Sequence, residues 1–118
     1  MKTIEVYVTK KGNSPFFEWL YSLQDKTTKG RIRNRIKRLE VGGYGDCKSV
    51  GEGVYELRFF FGAGPRVYFG EDRGSITLLL CGGDKHSQTR DIQQAKAYWK
   101  EFKERTNEEY NQFRRRFT

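Results

Sequence analysis

Apolar and polar positions along this chain recur in two rhythms, and each change of rhythm marks an element. Thr3 to Thr9 (TIEVYVT) alternates with period two, Ile4, Val6 and Val8 on one face and Glu5 and Tyr7 on the other, which predicts a first strand. After Lys10-Lys11-Gly12-Asn13 the spacing lengthens. Ser14 reads as an N-cap and Pro15 as the first helical residue, and Phe16, Phe17, Leu20 and Leu23 follow at helical intervals. Asp25 to Val41 holds a second helix with a thin apolar stripe of Ile32, Ile36 and Leu39, stopped by Gly42-Gly43. Tyr44 to Val50 is a weaker strand or extended link that brings Lys48 toward the same sheet.

Val54 to Gln88 organises the rest. Tyr55, Leu57, Phe59 and Phe61 form a wholly apolar face, with Val54, Glu56, Arg58 and Phe60 on the other. Gly62-Ala63-Gly64 reads as a three-residue hairpin turn into a strand that buries Val67 and Phe69. That turn pairs Phe61 with Pro65, Phe60 with Arg66 and Arg58 with Tyr68. Glu56, Arg58, Arg66 and Tyr68 then share one face, which is expected to be open. Ile76 to Cys81 (ITLLLC) is apolar on both faces apart from Thr77 and predicts a central strand. Gly82 to Ser87 leads from it into a helix beginning near Gln88, with Ile92, Ala95, Trp99 and Phe102 on its buried face. Neither Gly nor Pro interrupts residues 106–118, so they are expected to continue that helix or to fray.

Charge sharpens the picture. Lys and Arg total 23 against 15 Asp and Glu, a net +8, and aromatic residues make up 15% of the chain. This combination suits an RNA-facing surface, where cations hold phosphates and rings stack on bases. The second helix carries Lys26, Lys29, Arg31, Arg33, Arg35, Lys37 and Arg38, either a grip on a polyanion or simply a solvated face. Cys47 and Cys81 are too few for a disulfide framework and fit a reducing cytoplasm. His86, the only histidine, gives no metal-ligand cluster. No apolar run approaches a signal peptide or a membrane span, so a soluble cytoplasmic protein without membrane association is expected.

The candidate chemistry is a cationic pocket: Arg58 and Arg66 on the sheet, with Lys85 and His86 in a loop whose free amides and helix dipole favour an anion. The alternative is structural, with Arg58 paired to a neighbouring carboxylate and the glycines serving only as a tight exit from the strand.

The stretches GVYELRFFFGAGPRVYF and LLLCGGDKHSQTRDIQQAKAYW resemble the RelE/ParE superfamily of bacterial toxin–antitoxin toxins, nearest to the HigB-like addiction-module killer group. The likeness runs from the first strand through Trp99, and residues 103–118 extend past the family core. The resemblance implies an α+β fold, a twisted, mostly antiparallel sheet with two N-terminal helices and a C-terminal helix. It implies one toxin domain over residues 1–105 and a basic extension over 106–118. It also implies a helix-turn-helix antitoxin partner, a free toxin that is a monomer and an oligomeric complex with the antitoxin. Many such toxins cut mRNA on the ribosome without metal or other cofactor, the 2′-OH attacking its own phosphate to leave a 2′,3′-cyclic phosphate. ParE relatives instead poison DNA gyrase, and a degenerate member would only bind its antitoxin.

By position, Arg66 matches the arginine that supports the phosphate, Arg58 a strand lysine or arginine, and Lys85 the basic residue on the leaving-group side. Glu56 departs from a position that is basic in the best-known relatives, and is either a general base or a clamp on Arg58 or Arg66. His86 is a candidate for proton transfer, since a histidine titrates near neutral pH. Lys48, Tyr68, Gln88, Arg31, Arg35 and Arg38 are the expected RNA contacts.

Overall fold

The computed structural model describes residues 1–117. The strands are β1 (Thr3–Val6), β2 (Cys47–Gly51), β3 (Val54–Arg58), β4 (Arg66–Asp72), β5 (Ile76–Gly83) and β6 (Arg115–Arg116). The helices are α1 (Pro15–Ser22), α2 (Lys26–Arg38), α3 (Gln88–Glu104) and α4 (Asn107–Asn111), and a 3₁₀ turn follows α2. The six strands form one sheet in the order β2-β3-β4-β5-β1-β6, antiparallel except where β1 lies parallel to β5. The fold is therefore α+β, and the apolar β5 is interior as its sequence predicts.

Local chemistry sets the helices. Ser14 caps α1, its hydroxyl accepting from the Phe17 N–H at 3.5 Å, with Pro15 at the first helical position. Asp25 caps α2 by accepting from the Thr27 N–H at 3.1 Å. Gly42, at φ +79°, takes the left-handed conformation that ends the 3₁₀ turn.

Both faces of the sheet are covered. Under α1 and α2 lie Ile4, Phe16, Leu20, Ile36, Phe59 and Leu79 among others, an apolar core. Under α3 lie Val54, Tyr68, Leu78, Leu80, Trp99 and Phe102. Here an expectation fails. The face of β3 and β4 that bears Glu56, Arg66 and Tyr68 is not open, because α3 packs across it. Trp99 lies so close over Gly70 that a Cβ there would come within 2.4 Å of its ring atoms, and Trp19 lies on Gly82 in the same way.

The hairpin register also differs. Arg58 pairs with Arg66 and Glu56 with Tyr68, a two-residue shift from the predicted pairing. An even shift keeps every side chain on its face, so the alternation alone does not fix it. Phe59 N–H donates to the Pro65 carbonyl at 3.1 Å, leaving a five-residue loop from Phe60 to Gly64.

The C-terminal segment neither prolongs α3 nor frays. Arg105 is extended, and Thr106 opens α4 with a reciprocal capping box to Glu109. Residues Arg115–Arg116 then add to β1, and the Phe117 ring stacks on Phe17 at 6.1 Å. Thr118, the last residue of the expected extension, lies outside the described residues.

Candidate nucleic-acid interface

Arg66 holds the β3–β4 hairpin together from within. It is 4% exposed, and its Nη1 donates to the carbonyls of Gly64 (2.9 Å), Phe59 (3.1 Å) and Pro65 (3.1 Å). Its Nε sits 4.0 Å from Glu56 Oε2. Glu56 is fully buried, and Oε2 accepts from the Gln88 side chain at 2.7 Å and the Tyr68 hydroxyl at 3.0 Å. Of the two roles open to Glu56, this geometry fits the clamp on Arg66, since a sealed carboxyl has no path to a substrate proton. Glu56 Oε1 and Arg66 Nε have no hydrogen-bond partner among the described residues.

Two expected RNA contacts are corrected here. Tyr68 is fully buried, so it offers no ring face to a base. Burial, then the neighbouring Glu56, pushes its hydroxyl far above the ordinary value and keeps it a donor. Gln88 spends its amide on Glu56 rather than on a ligand.

The accessible cations stand around the hairpin tip. Phe60 is 71% exposed. The Arg58 guanidinium lies 5.3 Å from its ring centre and that of Arg66 5.8 Å, within cation–π range. Arg58 Nε is also 3.3 Å from Asp46 Oδ1, in a partly exposed pair. From α2, Arg35 donates to the Arg58 carbonyl at 2.6 Å and to the Tyr44 and Asp46 carbonyls at 3.3 Å. Burial lowers the Arg35 guanidinium from its ordinary value, with Asp46 opposing the shift. Arg31 lies 4.5 Å from the Phe61 ring centre. Between α2 and the hairpin runs a groove of ≈ 430 Å³ lined by Arg31, Arg35, Arg38, Arg58, Phe60 and Phe61, with Asp46 the only carboxyl in its wall among the described residues. Guanidinium groups interleaved with flat rings can hold phosphates and stack on unpaired bases.

The loop after β5 is not the open anion cradle its glycines suggest. Asp84 Oδ1 accepts from the His86 N–H (2.8 Å) and the Ser87 N–H (3.1 Å), so the chain's own carboxylate fills that place. Lys85 is exposed and tied to the hairpin, its N–H donating to the Ala63 carbonyl at 3.3 Å. His86 is exposed, without a side-chain hydrogen bond among the described residues. Lys48 is exposed on β2, opposite Glu56. The hairpin thus gathers Arg58, Arg66 and Lys85, α2 adds Arg31, Arg35 and Arg38, and Glu56, Tyr68 and Gln88 lie beneath as support. Among the described residues no His, Cys, Asp or Glu group of three or more could hold a metal ion.

A Haemophilus influenzae protein, described as uncharacterized, is 49% identical over 81 residues, spanning 69% of this chain and 82% of its own length. This chain belongs to that protein's family. No family model matches the chain.

Sequence reasoning missed Phe60 and Asp46 as members of the site. Phe60 was detectable as the one aromatic among Val54, Glu56, Arg58 and Phe60, the polar side of the alternation, two residues before Gly62. Asp46 sits in an irregular link whose partner only the folded register reveals.

Proposed function

We propose that this protein is the toxin of a RelE/ParE-type toxin–antitoxin module and cuts ribosome-bound mRNA without a metal. The motif resemblance supplies the reaction class. The observation that carries the reading is the groove of four arginines and the exposed Phe60 beside α2, with Lys85 at the neighbouring hairpin loop.

The RNA 2′-OH gives up its proton to solvent and attacks the adjacent phosphorus, the P–O5′ bond breaks, and the departing O5′ takes up a proton, so the products are a 2′,3′-cyclic phosphate and a 5′-hydroxyl. Charge that builds on the phosphorane oxygens needs fixed cations, and Arg58 and Lys85 are the accessible ones. Arg66 and Glu56 act as positioning residues that fix the hairpin on which Arg58 and Phe60 stand. Arg31 and Arg38 contact the RNA backbone, Arg35 braces the groove wall through its bonds to the Arg58, Tyr44 and Asp46 carbonyls, and His86 is the exposed group suited to protonating the departing oxygen. A helix-turn-helix antitoxin, and action in the cytoplasm, complete the proposal.

The test adds purified protein to a translation extract and maps message ends by primer extension. Wild type is expected to produce discrete new ends. An Arg58→Ala/Lys85→Ala double variant, confirmed folded by circular dichroism, is expected to cut slower by on the order of a hundredfold. Intact message with wild-type protein would overturn the nuclease reading, and inhibited supercoiling beside untouched mRNA would replace it with a gyrase poison.

A further inference from the structure

A separate pocket of ≈ 300 Å³ lies where the β4–β5 turn meets the end of α3 and the start of α4. Arg73, Lys103, Arg105 and Arg114 line it against one carboxyl, Asp72. Arg114 is engaged with Glu5 at 2.7 Å. Arg73 and Lys103 are exposed, and neither has a carboxyl partner within ion-pair distance among the described residues.

Arg105 gives the pocket its character. Its side chain is 3% exposed. Nε and Nη2 share one edge of the guanidinium, and both donate to the Glu101 carboxylate; Nη2 also donates to the Val8 carbonyl at 2.9 Å. Nη1 lies on the opposite edge and has no hydrogen-bond partner among the described residues. Glu101 lines a different cavity, beside Tyr7 and Tyr98. Arg105 lines the cationic one. A buried donor without an acceptor costs stability, and Nη1, closed to solvent in this structure, gains a partner if a ligand oxygen entering the pocket displaces the packing over it.

We propose that this pocket binds an oxyanion of the phosphate class. Arg105 is its fixed charge at the floor, and Arg73 and Lys103 are the arms that close on the ligand from solvent. The site is independent of the α2 groove, and it stands whether or not the protein cuts RNA. Phosphate reaches it either as a free phosphate-bearing ligand or as a nucleic-acid phosphodiester.

The test follows the amide signals of Lys103, Thr106 and Asn107 by nitrogen-15 NMR on the full chain. One arm titrates inorganic phosphate and another a trinucleotide without terminal phosphates, each against chloride at matched ionic strength. Saturable shifts are expected for wild type, weakened about tenfold or more in Arg73→Ala/Lys103→Ala. Both altered residues are exposed, so the fold is expected to survive; the unchanged remainder of the spectrum verifies it. Response to the trinucleotide alone assigns the site to nucleic acid, and response to inorganic phosphate alone assigns it to free phosphate-bearing ligands. Shifts no larger than chloride produces, or undiminished binding by the double variant, would overturn the proposal.

Discussion

Two buried arginines, one in the hairpin and one in the C-terminal segment, are built to opposite plans. Arg66 bonds inward on its own neighbourhood, to carbonyls at positions 59, 64 and 65, and faces a carboxyl that is sealed from water. Arg105 reaches across the chain to Val8 and pairs with Glu101, whose side chain is 29% exposed. The first shapes a loop and leaves its ion pair loose at 4.0 Å. The second grips Glu101, one turn back on α3, through a two-point fork, the stronger geometry for a guanidinium and a carboxylate, and ties the end of that helix to the chain after β1 through the Val8 carbonyl. What differs is the fate of the partner once the arginine is gone: Glu101 can turn to water, and Glu56 cannot.

Removing each arginine in turn is the sharpest way to break this comparison. Arg66→Ala strands a fully buried carboxyl and is expected to cost about 3–5 kcal/mol in urea unfolding. Replacing both partners with apolar residues, Arg66→Met with Glu56→Leu, is expected to recover much of that loss. A single variant no less stable than wild type would mean that the pair is not held as described. Arg105→Ala leaves a partner that rehydrates, so the expected loss is smaller, about 2–3 kcal/mol. Hydrogen exchange should then show the loss concentrated in α4 and β6, and uniform loosening would contradict a local staple.

The cores on the two faces can be compared through their glycines. Gly70→Ala drives a methyl into the Trp99 ring on the α3 side, where the tryptophan is hemmed in by Phe102, stacked at 5.5 Å. Overpacking of this kind is expected to lower stability by about 1–3 kcal/mol, measured as a shifted urea midpoint.

Much of this architecture was legible in the chain. Ser14-Pro15 announced α1, the Ile32/Ile36/Leu39 stripe announced α2, and ITLLLC announced an interior strand. Side-chain alternation reports which face a residue takes, but it is blind to slips of two, so the hairpin register was lost. Charged residues on β3 and β4 read as solvent-facing because a sequence does not show that, beneath a helix, Arg66 finds three backbone carbonyls and Glu56 finds Tyr68 and Gln88. The loop amides look free in the sequence because nothing there shows that the Asp84 carboxylate turns back to accept from the His86 and Ser87 N–H groups. The break after α3 did leave a signal: Thr106-Asn107-Glu108-Glu109 is a capping-box pattern, outweighed by the absence of Gly and Pro.

The smallest expected effect is one of pH. Burial works against the Glu101 carboxylate, but hydrogen bonds from Arg105 and Tyr7 outweigh it and hold the group below its ordinary value of 4.5. A folded value below the unfolded one means that this contribution is complete above about pH 4.5 and is lost as pH falls through the folded value. Glu101→Gln is therefore expected to flatten the acid limb of a stability-versus-pH curve. An unchanged limb would show that the fork adds nothing to acid resistance.

The two residues of β6 have an importance beyond their length. They cap the outer rim of β1, and the neighbouring Phe117 N–H donates to the Ile4 carbonyl at 3.0 Å. Peeling them away uncovers a row of unsatisfied peptide groups, the template on which strands from other copies accrete. A short, arginine-bearing end strand of this kind leaves little edge for another chain to extend, because two residues offer few free peptide groups and both carry charge.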